Sequence, residues 1–558
     1  IDILDKTSIK IILLENDVMA KNKRRSKKKS TKQNKNLGLI IVAIAILVIG
    51  GGIYFLKSSK TKNQANTNAT IESSHSYVVS TSNEKATEIG EKVLAEGGNA
   101  VDAAIAVSYA LGVAQPYASG IGGGGGMLIY NPDNDEYKFY DYKDCSPFSN
   151  EKRQGDIGVP GFVGGMEKIS KDLGTKNISD LIGYSVDLAK NGVTVNADTL
   201  KAMNSFSNLL AKDKDYVKDG ELLKEGDTLI QSELATTLEK IQNEGAKAFY
   251  SGEIAENIAK AGSMKVSDLE QYEVKTHEPV SGEFNGYKVV SAPPPFSGTS
   301  LIQMLEIIEQ EGKTKDIKDA NTYLEVLNNA TTLANYDRGK KIADLDFKNV
   351  DYNSLTTEDY IKNLLKEKNA TYSEDDESES TTHFVIVDKN GMVVSCTNTL
   401  GHFYGAQEKV NGFYLNSSLK SFGTKGINKY EPGKRPRTYT SPTIIQKGND
   451  YIMGIGTPGG IRILKMLAPI IVDNLYFGHD LQEAINKSRV IFQEPGMIVR
   501  EGGRDEDYII NVHNSQFPYM DLKDQLYFGA VQAGGISNGK YFGASDNRRL
   551  GKVSINQD

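Results

Sequence analysis

The sequence predicts a mixed fold of the α+β class, set behind one membrane-spanning helix. Three observations carry that expectation. A run of twenty uncharged residues, LGLIIVAIAILVIGGGIYFL, occupies Leu37–Leu56. Downstream, helical and strand-like apolar patterns alternate. An acidic stretch around Asp375 then gives way abruptly, at Thr381-Thr382-His383, to the pattern of a strand pair.

The N-terminal region predicts the compartment. Residues 1–18 precede Met19 and begin with Ile, which reads as a mis-assigned start outside the folded part. Met19 to Asn36 holds nine Lys or Arg and no acid, making 1–36 a basic cytoplasmic segment. At 1.5 Å per residue, twenty residues span about 30 Å, the thickness of a bilayer core. A cleaved signal peptide would carry a shorter apolar stretch, of about 7–15 residues. The expectation is an uncleaved single-pass anchor at 37–56, oriented by its flanking bases so that the rest of the chain is extracellular. Residues 57–76, KSSKTKNQANTNATIESSHS, lack large apolar side chains and read as a flexible linker. The folded part is expected from Tyr77.

Composition narrows the classes further. A chain of 558 residues is too long for one core, so two or more packed units are expected. The net charge is −7 and the basic segment lies at one end, so the remainder is acidic and no nucleic-acid partner is expected. Cys145 and Cys396 are the only cysteines and are expected to be free thiols.

The elements follow in order. In TSNEKATEIGEKVLAEGG, Ala86, Ile89, Val93 and Leu94 have helical spacing and Gly97 suits the position just past the helix end. Asn99 caps AVDAAIAVSYALGV, apolar on nearly every face and therefore buried between layers, ending before Pro116. In SGIGGGGGMLIY, Gly120, Gly122 and Gly125 fit G-x-G-x-x-G. A dinucleotide fold needs strand, glycines, then helix; here a helix precedes and a strand follows. The run of small residues instead predicts backbone packed closely on backbone. Gly535-Ile536-Ser537-Asn538-Gly539 fits G-x-S-x-G but lies in a polar turn. The six histidines show no metal-ligand spacing, and no metal is expected.

HFVIVD, Asn390-Gly391 and MVVSCTNT together predict a hairpin. Thr381 then opens a strand behind a flexible segment, Ser373–Ser380. A threonine hydroxyl is a weak nucleophile until a base takes its proton, and a free N-terminal amine is one such base. Cleavage of the Ser380–Thr381 bond would supply it, although spacing alone favours two threonines merely entering a strand.

TTHFVIVD, together with GGNAVDAAIAVSYALGV, SGIGGGGGML, GVPGFVGGM, APPPFSG, KRPRTYTSPT and GTPGGIRI, resembles the γ-glutamyltransferase family, in family order and over essentially residues 77–558. Within it the chain is most similar to the membrane-associated branch that processes poly-γ-glutamate capsule. The resemblance implies an N-terminal-nucleophile hydrolase with a four-layer αββα sandwich. It implies a zymogen that cuts itself into 77–380 and 381–558, with the two fragments remaining associated. It implies Thr381 as nucleophile and, through its amine, as base, with Thr399 orienting it. Gly459 and Gly460 would stabilise the oxyanion with their backbone N–H groups. Substrate contacts are implied for Gly459, Gly460, Ile461, Arg462, Arg549, Lys143, Thr438 and Tyr439. No cofactor is needed on this scheme, because Thr381 and the two amides supply base and oxyanion stabilisation.

Departures from the family pattern point to the substrate. Lys143 stands where members commonly carry an arginine, keeping charge without the bidentate fork. Gly401 stands in place of an asparagine, Lys420-Ser421 in place of two aspartates, and Thr438-Tyr439 in place of a serine pair. The Gly423–Gly433 segment is shorter than the usual lid. Poly-γ-glutamate or other γ-glutamyl peptides are the expected substrates, with water or a cell-wall amine as acceptor. The alternatives are a general glutathione hydrolase and an inactive polymer-binding surface protein.

Overall fold

Two wholly antiparallel sheets make the centre of the computed structural model, which describes residues 76–372, 380–504 and 515–557. The expected span Leu37–Leu56, the basic segment before it, the linker up to residue 75 and the acidic stretch 373–379 lie outside those residues. Among the described residues no helix is long and apolar enough to cross a membrane.

The larger sheet has seven strands, in the order Lys552–Asn556, Tyr77–Thr81, Ser380–Val387, Val393–Gly401, Gly124–Asn131, Glu136–Asp141 and Lys275–His277. The smaller has six: Lys540–Ser545, Gln532–Ser537, Tyr451–Gly456, Thr443–Lys447, Tyr287–Ser291 and Val280–Phe284. Side chains sort them into layers. Val385 and Val387 join Val78, Leu128, Val290 and Ile444 in a core between the sheets. Phe384 and Ile386 point the other way, into a core shared with the Ala100–Ala114 helix. The Gly298–Gly312, Ala320–Lys341 and Ile463–Leu475 helices cover the far face of the six-stranded sheet. This is an αββα sandwich of mixed α and β content. The described residues from Ser76 onward form one unit, because both helix–sheet cores are joined through the shared middle layer.

Local signals placed most elements well. The first strand begins at Tyr77. Helix Glu84–Ala95 ends with Gly97 at φ +83°, a conformation that glycine adopts without steric cost. Asn99 caps Ala100–Ala114 in a reciprocal capping box with Asp102, and nearly every residue of that helix is buried. The Ser380–Val387 strand is buried on both faces, so FVIV is the continuous apolar run of a two-sided strand rather than a half-wet alternation. Cys145 and Cys396 are free and buried.

Candidate active site

The junction singled out by the sequence lies at the start of a bulged hairpin. Thr381 pairs with Thr399 and Ser380 pairs with Gly401, which leaves Leu400 as the extra residue on the second strand. Bulges of this kind turn side chains out of the regular ladder. Thr381, His383, Thr397 and Thr399 share the parity of Val385 and Val393, so all four face the layer between the sheets. Thr381 is 3% exposed and Thr399 7%.

Thr399 uses its whole hydroxyl. Its Oγ1 accepts from the Thr381 hydroxyl at 3.3 Å and from Gly401 N at 2.9 Å, and donates to the carbonyl of Ser380 at 2.5 Å. One hydrogen and two lone pairs are a hydroxyl's full capacity. The Thr381 proton is thereby directed away from the Ser380–Thr381 bond, while the Ser380 carbonyl is polarised. Ser380 itself is pinned by its hydroxyl to Tyr117 O and Ala118 O, at 2.7 and 2.9 Å.

The glycine run explains how backbone reaches this point. A Cβ on Gly123 would sit 2.2 Å from Thr399 O, and one on Gly122 2.1 Å from Tyr414 O. Close backbone packing, as the sequence predicts, is what these glycines permit. Gly401 has φ +87°, and a Cβ there would meet Ser417 Oγ at 2.6 Å, so a side chain at this position is excluded by conformation and by space. Ser417 N donates to Leu400 O at 2.8 Å, which seats the Asn416–Phe422 loop on the bulge.

That loop meets the Asp141–Cys145 segment. Ser418 Oγ donates to Asp144 Oδ2 at 2.5 Å. Burial pushes the Asp144 carboxyl up to about 7, against the pull of the Lys143 charge and the Ser418 hydrogen bond. Lys143 is 3% exposed and forms no ion pair among the described residues. Lys420 Nζ lies 3.7 Å from Asp156.

The second sheet delivers the glycine pair. The Tyr451–Gly456 strand ends against His383, whose ring atoms would lie 2.3–2.6 Å from a Cβ on Gly456. The chain then turns through Thr457-Pro458 into Gly459 (φ +141°) and Gly460 (φ +55°), both buried. Neither N–H of this pair donates to a protein acceptor among the described residues. Ile461 is half-buried beside them. Arg462 Nε donates to Tyr527 O at 2.8 Å and its guanidinium lies over the Tyr527 ring. Arg549 Nη2 donates to Leu526 O at 2.6 Å. The two arginines thus converge on one turn. Arg549 also acts on Asp198, whose carboxyl burial pushes up to about 6 while the arginine pulls it back, and on Tyr117 of the Ser380 cradle. Arg548 serves differently: it is buried against Glu501 and Asp546.

Thr438 and Tyr439 reach the same end of the sheet, since Thr443 pairs antiparallel with Ile455 just ahead of Gly456. Thr438 O accepts from Ser297 Oγ at 2.6 Å, its Oγ1 bonds Thr440 Oγ1, and the Tyr439 ring packs 3.5 Å beneath the Arg338 guanidinium.

Sequence reasoning passed over His383 and Asp144. His383 is fully buried, hydrogen-bonded through Nδ1 to Thr397 at 2.8 Å, and pushed down to about 3 by burial. Its place two residues from Thr381 in a strand was the available signal. Nothing in the spacing marked Asp144, because its partner Ser418 is 274 residues away.

A family model described as gamma-glutamyltranspeptidase matches residues 86–555. The chain is 43% identical over 420 residues to the capsule biosynthesis protein CapD proenzyme of Bacillus anthracis, covering 75% of this chain and 79% of that one. It is 30% identical over 585 residues to the glutathione hydrolase proenzyme of Bacillus subtilis (strain 168), covering 94% and 99%. A cephalosporin acylase from Bacillus halodurans has the same fold, with a TM-score of 0.76 at 21% identity over 89% of this chain and 99% of that chain. The sequence and the sandwich therefore agree, and the chain belongs to the γ-glutamyltranspeptidase family, enzymes of the N-terminal-nucleophile hydrolase type.

Proposed function

We propose that this enzyme cuts itself before Thr381 and then acts on poly-γ-glutamate outside the cell, anchored by Leu37–Leu56. Self-cleavage begins with Thr381 Oγ1 attacking the Ser380 carbonyl carbon. The Oγ1 proton passes to the nitrogen as the C–N bond breaks, which leaves the free amine of Thr381 and an ester that water hydrolyses to the Ser380 carboxylate and the Thr381 hydroxyl. The Thr399 hydrogen bond to Ser380 O stabilises the developing oxyanion. In turnover the Thr381 amine takes the proton from Oγ1 as it attacks a γ-glutamyl carbonyl. The N–H groups of Gly459 and Gly460 receive the oxyanion, and the amine component leaves with a proton. Water then releases a shortened polymer, or an amine such as one of the cell wall accepts the acyl group. Donors of this kind are worth roughly 3–4 kcal/mol each in the transition state. Arg462, Arg549 and Lys143 hold substrate carboxylates.

The observation that carries the substrate is the Asn416–Phe422 loop. A site for a terminal γ-glutamyl group needs carboxylates for its free α-ammonium. This loop presents Lys420 and Ser421, and the nearby Asp144 has one oxygen committed to Ser418. Within a γ-linked polymer the α-nitrogen is an amide and the side chains are anions, which suits a site without that carboxylate pair. The short Gly423–Gly433 segment leaves room for chain on both sides. The identity with a capsule biosynthesis protein supports the same reading. The second reading, a general glutathione hydrolase, has the support of the Bacillus subtilis relative. Side-by-side kcat/KM values for poly-γ-glutamate and glutathione decide between them. A polymer-to-glutathione ratio well below one would reject the polymer reading.

A further inference from the structure

We infer that the strap at 148–156 and the segment 419–429 form a cationic track that holds the poly-γ-glutamate chain beyond the scissile bond. The inference rests on the polymer being the substrate. In a chain of net charge −7, residues 420–437 carry six bases and one acid. The single acid, Glu431, is held by Lys434 at 2.7 Å. The strap is fastened alongside: Leu419 N donates to Asp156 O at 3.0 Å and Tyr430 OH to Asn150 O at 3.0 Å. Asp156 is occupied by Arg153 and Lys420. Lys152, Lys425 and Lys429 are exposed and form no ion pair among the described residues. Of the strap's own acids only Glu151 is left to oppose them.

Position makes this more than a solvated surface. Ser417 is bonded to Leu400, the bulge residue beside Thr381 and Thr399, so the segment bearing Lys420, Lys425 and Lys429 begins at the reacting groups. Lys425 is eight residues further on, within about 27 Å even if fully extended. A polymer with one carboxylate per residue meets the exposed ammonium groups of Lys152, Lys425 and Lys429 as it leaves the site. Small γ-glutamyl compounds do not extend that far. The track would therefore act on polymer affinity and on encounter rate, both of which salt weakens.

The test uses the processed enzyme carrying Lys152→Glu, Lys425→Glu and Lys429→Glu. With long poly-γ-glutamate at about 50 mM salt, KM is expected to rise roughly 10–100-fold, narrowing to within about threefold at 0.5 M salt. Self-cleavage and turnover of a short γ-glutamyl anilide should match the unmutated enzyme. The glutamine triple variant should show the same pattern at reduced size, which guards against a folding defect in the charge-reversed protein. An unchanged KM for a polymer that is still cleaved would overturn the track. Failure of the unmutated enzyme to cleave polymer would remove both the track and the substrate reading, and is recognised because it needs no variant.

Discussion

Thr399→Val tests self-cleavage with little change of volume. The substitution removes the hydroxyl that donates to Ser380 O and accepts from Thr381, while leaving the bulge residue Leu400 and the strand pairing in place. Loss of one donor to a developing oxyanion costs about 2.7–4 kcal/mol, or 10²–10³ in rate. A further loss of about 0.5–1.5 kcal/mol of stability is expected for each buried hydrogen bond removed. Cleavage of freshly folded precursor should therefore slow by two to three orders of magnitude while the protein still melts cooperatively. Thr399→Ser, which keeps the hydroxyl, should stay within about tenfold of the original rate. The assay is a time course on denaturing gels, with the new N-terminus sequenced. If the valine variant cuts itself within tenfold of the original rate, the hydroxyl does not stabilise that oxyanion and the proposed step is wrong.

Other predictions follow from the same site. Thr381→Ala should abolish both cleavage and γ-glutamyl turnover; a fragment beginning at residue 381 from that variant would contradict the nucleophile assignment. Arg462→Ala should lower kcat/KM roughly 10–1000-fold through loss of a desolvated charged hydrogen bond and misplacement of substrate, and an unchanged rate in a folded protein removes Arg462 from the site. His383 stays neutral in the fold down to about pH 3, while an unfolded histidine binds a proton below about 6.5. The proton therefore favours the unfolded chain, and stability should fall as pH drops below 6.5, by about 2 kcal/mol at pH 5. His383→Gln should flatten that acid limb in urea melts, and an unaltered limb would assign it elsewhere. Protease added to wall-free cells should reach the catalytic domain; protection until the membrane is broken would reverse the proposed topology.

Much of the fold was readable because it is locally encoded. Asn99, Gly97 and Asn390-Gly391 mark caps and a turn through their own backbone preferences, and each lies where those preferences place it. The Thr381–Thr399 pair was likewise within reach, since a hairpin centred on Asn390 brings the two opposite each other. What escaped depends on distant partners. The neutral state of His383 is set by burial, with Gly456 of the other sheet packed against its ring, and the raised Asp144 carboxyl by burial beside a loop 274 residues on. The convergence of Arg462 and Arg549 needs the turn at Leu526-Tyr527, which no pattern in either arginine's neighbourhood announces. Tyr439 likewise depends on a distant partner, its ring lying beneath the Arg338 guanidinium about a hundred residues away in sequence.

On the proposed mechanism, the geometry also explains why the uncut chain should be inert. Thr399 has one hydrogen, and in the continuous chain that hydrogen is given to Ser380 O. Thr381 lies almost wholly buried beneath the residue it must expel, with Ser380 held by two backbone carbonyls. A γ-glutamyl carbonyl needs the space that the Ser380 carbonyl fills, and the base it needs is an amine still locked in a peptide bond. Cleavage relieves all three obstacles together. The carbonyl acceptor departs, the Thr399 hydrogen becomes free to redirect, and the nitrogen of Thr381 gains a basic lone pair. The cost of the arrangement falls on folding, because the bulge at Leu400 and the left-handed Gly401 must be in place before any chemistry occurs. Gly401→Ala adds a Cβ 2.6 Å from Ser417 Oγ in a conformation alanine adopts poorly. It should therefore impair cleavage and turnover together, by displacing the loop seated on the bulge. A variant that cleaves normally, and whose processed form turns over normally, would show that this seat does not position the reacting threonines.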